Sequence, residues 1–218
     1  MSEAARIHTI YQRLSAERHR WYPTSLSHFV GQPFKALIAG MLSARTREEQ
    51  TDAATARLFA LADNPQDMLT LPEETIRQAI ASVSFPEAKA RHVIGICRAL
   101  AANNGEVPQN LDALMALPGV GWKVATLTLI IAFGQQDHVC VDTHVDRVSK
   151  RLGLVDPAIK QAPRIAEALK AVLPREYWAS WNGLMVQFGR EVCQPLYPKC
   201  RTCPIRDLCP RIGVGTKG

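Results

Sequence analysis

Lys123 and Asp142 have the side-chain types for covalent chemistry: an amine that becomes a nucleophile on losing its proton, and a carboxylate that can hold a proton or a developing cation. Lys123 follows Leu117-Pro118-Gly119-Val120-Gly121-Trp122, a glycine-rich break in an apolar stretch. Both glycines can take positive φ, so Pro118 to Gly121 predicts a tight turn joining two helices, the second starting near Trp122. Backbone N–H groups of Gly119, Val120, Gly121 and Trp122 then lie at a helix N-terminus, where the macrodipole favours a phosphate oxygen without any base contact. The same field disfavours an ammonium in the first turn, which favours the neutral, nucleophilic form of Lys123. A lysine after a Gly-x-Gly turn is otherwise an ordinary solvated residue.

Asp142 stands in Val141-Asp142-Thr143-His144-Val145-Asp146-Arg147-Val148, at the expected N-cap of a strongly patterned helix. Capping alone, at about 1 kcal/mol, explains an aspartate there. A capping carboxylate is also rigidly aimed, and can relay protons or stabilise a cation. His138 and His144 read as structural.

A third group is Cys193, Cys200, Cys203 and Cys209, with the spacing Cys-x6-Cys-x2-Cys-x5-Cys. Four thiolates in so short a loop imply a metal centre. The N-terminus is charged and lacks an apolar signal segment, so the expected setting is a reducing cytoplasm, with disulfides the weaker reading. Thiolate chemistry leaves tetrahedral zinc and a [4Fe–4S] cluster both open. Cys97 and Cys140 read as small buried hydrophobes.

The elements that must position these groups are helical. Apolar residues recur at three and four spacing, as in Ile7, Ile10, Tyr11 and Leu14, and no convincing period-two run appears. Pro33 predicts the start of an apolar helix through Leu42, Thr46 with Glu49 predicts a capping box for a helix to about Leu61, and Pro72 and Pro86 mark further starts. The apolar run from Val124 to Phe133 is too short to cross a bilayer, so no membrane association is expected. With 218 residues and 47% hydrophobic content the chain can bury one large core or two small ones. The net charge is +6, and four of those charges fall between Arg190 and Gly218, where Arg190, Lys199, Arg201, Arg206, Arg211 and Lys217 outnumber Glu191 and Asp207. A positive loop of that kind suits phosphate contact, with Lys199 and Arg201 inside it.

The hairpin with its lysine, the Val-Asp-Thr-His segment and the 6-2-5 cysteine spacing, in this order, resemble the endonuclease III family of base-excision DNA glycosylases. The resemblance covers nearly the whole chain. It implies an all-α, two-lobed helix-hairpin-helix glycosylase fold: a helical barrel over residues 26–135, and a cluster lobe from residues 1–25 and 136–218, with the active cleft between them. It selects [4Fe–4S] over zinc, with Cys193, Cys200, Cys203 and Cys209 as ligands. Lys123 is then the nucleophile that attacks C1′ of the damaged nucleotide and Asp142 the catalytic carboxylate. The implied protein is a monomeric DNA glycosylase and abasic-site lyase, acting on duplex DNA with oxidised or damaged pyrimidines or abasic sites, in the cytoplasm or on the nucleoid of a bacterium.

Three positions depart from the family pattern. Arg45, in Leu42-Ser43-Ala44-Arg45, stands where glutamine is usual; arginine can fill the space of an extruded base with a preference for guanine acceptors, or contact phosphate. Phe85, in Ser84-Phe85-Pro86, is either an apolar wedge into the base stack or an aromatic buried beneath its loop. Trp122 replaces a commonly basic residue beside Lys123. These differences bear on the lesion and opposite-base preference. Related glycosylases with another lesion or mismatch preference, and a non-catalytic iron–sulfur protein that binds DNA or senses redox state, are the competing functions.

Overall fold

The computed structural model describes residues 1–215, so Lys217 lies outside the described residues. Those residues form eleven α-helices, short 3-10 turns and no strand. In chain order the helices are α1 (Glu3–Glu17), α2 (Pro33–Leu42), α3 (Glu48–Leu61), α4 (Pro65–Met68), α5 (Glu73–Ala79), α6 (Pro86–Ala101), α7 (Leu111–Met115), α8 (Trp122–Phe133), α9 (Thr143–Arg151), α10 (Ala162–Val172) and α11 (Trp178–Glu191). The chain divides into two compact units, Ser25–Gln135 and Met1–Thr24 with the chain from Gln136 onward.

In the Ser25–Gln135 unit, α8 is the central rod. It is apolar nearly all round, with every residue from Val124 to Ile130 buried, the pattern of a helix with neighbours on all sides. Its Val124, Ala125 and Leu129 join Leu37, Ile38 and Met41 of α2, and Val93, Ile96 and Cys97 of α6, in one core. Pro33 occupies the first turn of α2 and Pro86 that of α6, where a missing N–H costs nothing. Pro72 caps α5 from just outside.

The capping box expected from Thr46 and Glu49 does not form. α3 is capped by Arg47 without a side-chain bond, and the Thr46 hydroxyl accepts instead from the Ser84 N–H at 3.1 Å and the Lys89 ammonium at 3.0 Å. Partners distant in sequence outcompete the local one. Glu48 also turns away from its own helix, accepting from the Ser25 N–H at 2.6 Å.

In the other unit, the stripe on α1 buries Ile7, Ile10 and Leu14 completely, while Tyr11 stacks on Tyr177 with ring centroids 3.9 Å apart. Fully buried Trp181 and Phe188 lie on α11, and Val145 and Val148 give α9 its buried face. Arg6 of α1 donates to the carbonyls of Leu152 and Leu208, and Arg13 pairs with Asp207 at 2.7 Å, so the C-terminal loop is fastened at several points to the helices beneath it.

Candidate active site

The turn before α8 is closed by the Val120 N–H donating to the Leu117 carbonyl at 3.1 Å. Gly119 takes φ +74°, and a Cβ there would lie 2.5 Å from His92 Nδ1, so the turn backbone lies directly on the histidine ring. Gly121 departs from the expectation of two left-handed glycines: at φ −91° and ψ 177° it is the extended N-cap of α8, a conformation open to any residue. No side chain caps this end, and the first intrahelical bond recorded is Ala125 N–H to Gly121 O, so the N–H groups of Trp122, Lys123 and Val124 have no intrahelical acceptor. Val120 is itself buried, Trp122 half-buried, and Gly119 and Gly121 exposed.

Lys123 is half-buried in the first turn of α8, and its Nζ donates to Ser43 Oγ at 3.1 Å. Ser43 is the C-cap of α2, and its hydroxyl donates onward to the Gly40 carbonyl at 2.8 Å. The loop that follows carries exposed Arg45 at φ +56°. A second exposed residue, Phe85 at φ +58°, sits at the start of α6, 61% accessible; the buried alternative for it is therefore wrong, because the left-handed backbone turns the ring outward. The two loops are joined, with Ser84 Oγ donating to the Arg45 carbonyl at 2.7 Å. Each left-handed non-glycine residue costs roughly 1–2 kcal/mol, strain that persists where surrounding structure holds it.

What holds it is Lys89, a residue that sequence reading missed. Its ammonium, 6% exposed, donates to the carbonyls of Leu42 at 2.7 Å and Ala44 at 2.8 Å and to Thr46 Oγ1 at 3.0 Å. Burial, with a smaller push from the charge of Lys123, pulls its pKa down to about 8. A signal existed: Lys89 lies on the same helical stripe as Val93, Ile96 and Leu100, where a solvated lysine has no place.

In the other unit, Asp142 is the N-cap of α9, as its position predicts. Its Oδ1 accepts from the N–H groups of both His144 and Val145 at 2.9 Å, and among the described residues Oδ2 makes no protein hydrogen bond. One oxygen is thus fixed by the helix while the other keeps its acceptor capacity. His144 Nδ1 lies 3.2 Å from the Arg147 guanidinium, and His138 lies beside Asp137.

Cys193, Cys200, Cys203 and Cys209 are all free thiols lining one cavity with about 410 Å³ of atom-free space, walled also by Val148, Leu152, Phe188 and Ile205. Among the described residues no three His, Cys, Asp or Glu side chains close on a single ion, so the thiols ring a space rather than a point. Burial raises the pKa of Cys203 to about 11 and also raises that of Cys209. Arg151, 9% exposed, donates to Cys193 Sγ at 3.3 Å and to the carbonyls of Gln194 and Pro195 at 2.7 Å, which fixes the entry of the loop. Lys199 and Arg201 are exposed on that loop, while Cys97 and Cys140 are fully buried.

The model of the HhH-GPD superfamily of base excision DNA repair proteins matches residues 38–175, which span the hairpin, Lys123 and Asp142. Endonuclease III of Thermotoga maritima is 36% identical over 199 residues, covering 91% of each chain. A solved non-covalent endonuclease III–DNA complex superposes with a TM-score of 0.85 at 33% identity, over 97% of this chain and 96% of that one. A trapped endonuclease III–DNA covalent intermediate superposes with a TM-score of 0.77 at 38% identity, over 83% and 84%. The chain belongs to the endonuclease III family, base-excision repair enzymes that are both DNA glycosylases and abasic-site lyases.

Proposed function

We propose that this protein excises oxidised or otherwise damaged pyrimidines from duplex DNA and cuts the strand 3′ to the lesion, with Lys123 as nucleophile and Asp142 as the catalytic carboxylate. The observation that carries the reading is the placement of Lys123: an amine in the first turn of α8, bonded to Ser43, at the base of the loop that presents Arg45. The glycosidic carbon is shielded inside a duplex, so the nucleotide must be flipped out, at a cost of a few kcal/mol that is smaller for a poorly stacked lesion. Arg45 and Phe85 are suited to fill the vacated space, one by hydrogen bonding to the orphaned base and the other by apolar insertion. Gly119, Gly121 and Trp122, with the backbone of Val120, hold the phosphates at the hairpin, and Lys199 and Arg201 contact them from the cysteine loop.

The neutral amine of Lys123 forms a bond to C1′ as the C1′–N bond breaks, the base leaving with the electron pair. The added amine loses its proton and the sugar ring opens to an iminium; loss of a proton from C2′ then expels the 3′ phosphate. Asp142, through Oδ2, stabilises the cationic sugar or takes the proton. Cys193, Cys200, Cys203 and Cys209 would hold a [4Fe–4S] cluster: four free thiols around one roomy cavity fit a multi-atom centre better than a single zinc, whose thiolates lie about 2.3 Å from one point. When bound, the cluster cross-links the loop that carries Lys199 and Arg201. The protein acts as a monomer in a reducing cytoplasm.

The test is strand cleavage of a duplex bearing one oxidised pyrimidine. Wild-type protein should release the base and cut the strand, Lys123→Ala should do neither, and Asp142→Asn should slow base release at least 100-fold. Unimpaired cutting by Lys123→Ala would refute the assignment.

A further inference from the structure

Lys89 has no part in the chemistry described above, yet its surroundings are built. Its three N–H donors meet three neutral oxygens, on Leu42, Ala44 and Thr46, and it reaches them from a different helix. Leu42 is the last residue of α2, so one acceptor is a helix-terminal carbonyl, where a cation is favoured. The bonds run on from there. Thr46 Oγ1 also accepts from the Ser84 N–H, and the Ser84 hydroxyl donates to the carbonyl of Arg45, so Lys89, Thr46 and Ser84 close a ring of contacts around two short loops. Each of those loops presents one exposed residue at left-handed φ, Arg45 and Phe85. Neither is a glycine, and neither loop has a disulfide or an apolar anchor of its own at that residue. Lys89 is thus the group that makes the two loops one body.

We infer that Lys89 is a positioning residue for nucleotide extrusion: it holds Arg45 and Phe85 preformed as a paired wedge, so that DNA unstacking does not have to pay for ordering them. The inference rests on the wedge reading of Arg45 and Phe85 given under Proposed function. It separates two substrates. A lesion stacked in a duplex needs the wedge, whereas an abasic site in single-stranded DNA has no opposing strand to fill and no base to displace.

The experiment uses full-length, iron-loaded protein and reads two signals. One is the fluorescence of a 2-aminopurine placed opposite a tetrahydrofuran abasic analogue, which rises on unstacking; the other is the ratio of borohydride-trapping rates on duplex and single-stranded abasic DNA. Lys89→Met, which keeps the length and removes the donors, should lose most of the fluorescence rise and lower the duplex-to-single-strand ratio at least tenfold, while Lys89→Arg restores part of both. If Lys89→Met does not fold, Thr46→Val and Ser84→Ala sever the same ring further out and should shift both signals in the same direction, by about threefold. A wild-type ratio and fluorescence in Lys89→Met, or in the pair of outer variants, overturns the inference, as does an equal loss on both substrates. The wedge reading fails separately: Arg45→Ala and Phe85→Ala would then leave the fluorescence rise intact.

Discussion

Replacing Gly119 with alanine tests whether the hairpin geometry is as tight as the structure has it. The backbone there sits at φ +74°, which costs an alanine roughly 1–2 kcal/mol. The new Cβ would lie 2.5 Å from Nδ1, 2.6 Å from Cγ and 3.1 Å from Cβ of His92, so the ring must turn off its rotamer, at about 0.5–1.5 kcal/mol more. The stiffer unfolded chain returns about 0.4–1 kcal/mol. The net loss is about 1–2.5 kcal/mol, read as a fall in the urea midpoint at constant slope. Two controls decide the cause. In a His92→Ala background the same substitution should cost about 1 kcal/mol less, because the ring that obstructs it is gone. Gly121→Ala, at φ −91° with nothing within 4 Å of its Cβ position, should cost no more than about 1 kcal/mol, the ordinary preference for glycine over alanine at an N-cap. A Gly119→Ala variant within 0.5 kcal/mol of wild type, or one whose loss is indifferent to His92, would refute the close packing of the turn.

Asp142→Ala orphans the N–H groups of His144 and Val145 and should lower stability by about 1–2 kcal/mol in urea, whereas Asp142→Asn keeps a capping oxygen and should stay within about 0.5 kcal/mol. The folded pKa of Lys89 is depressed to about 8, so between there and 10.5 the unfolded chain binds more protons and stability rises with pH. Lys89→Met lacks that gain; its stability relative to wild type should therefore fall by up to about 3 kcal/mol between pH 8 and 10.5, and urea midpoints showing no such divergence would exclude a buried charge. Cys203→Ser should lose most bound iron and the visible absorption that accompanies it, and full iron content in the purified variant would remove Cys203 from the ligand set.

What was legible in the sequence was local. The α8 start follows from a glycine turn feeding an apolar run, and the Asp142 cap from a carboxylate two residues before the N–H it accepts from. The four cysteines announce themselves by spacing. What was not legible depends on contacts across tens of residues. Thr46 reads as a helix cap because its nearest candidate partner in sequence is Glu49; it is claimed by Lys89 and Ser84, which only folding brings near. Gly121 looks like a second left-handed residue until the helix fixes it as an extended cap. Phe85 offered no local sign of its exposure, since whether an aromatic is tucked under a loop or held out from it turns on one φ angle. Ser43 likewise gains its place beside Lys123 from the packing of α2 against α8 within one core.

The central claim is that one amine performs the chemistry, and two lysines of the same unit, Lys123 and Lys89, compete for that role. Borohydride reduction of the protein with abasic duplex DNA, followed by digestion and mass mapping of the cross-linked peptide, distinguishes them. The sugar remnant should be found on Lys123 alone, and Lys123→Ala should yield no adduct. An adduct on Lys89, or one that survives in Lys123→Ala, would contradict the mechanism.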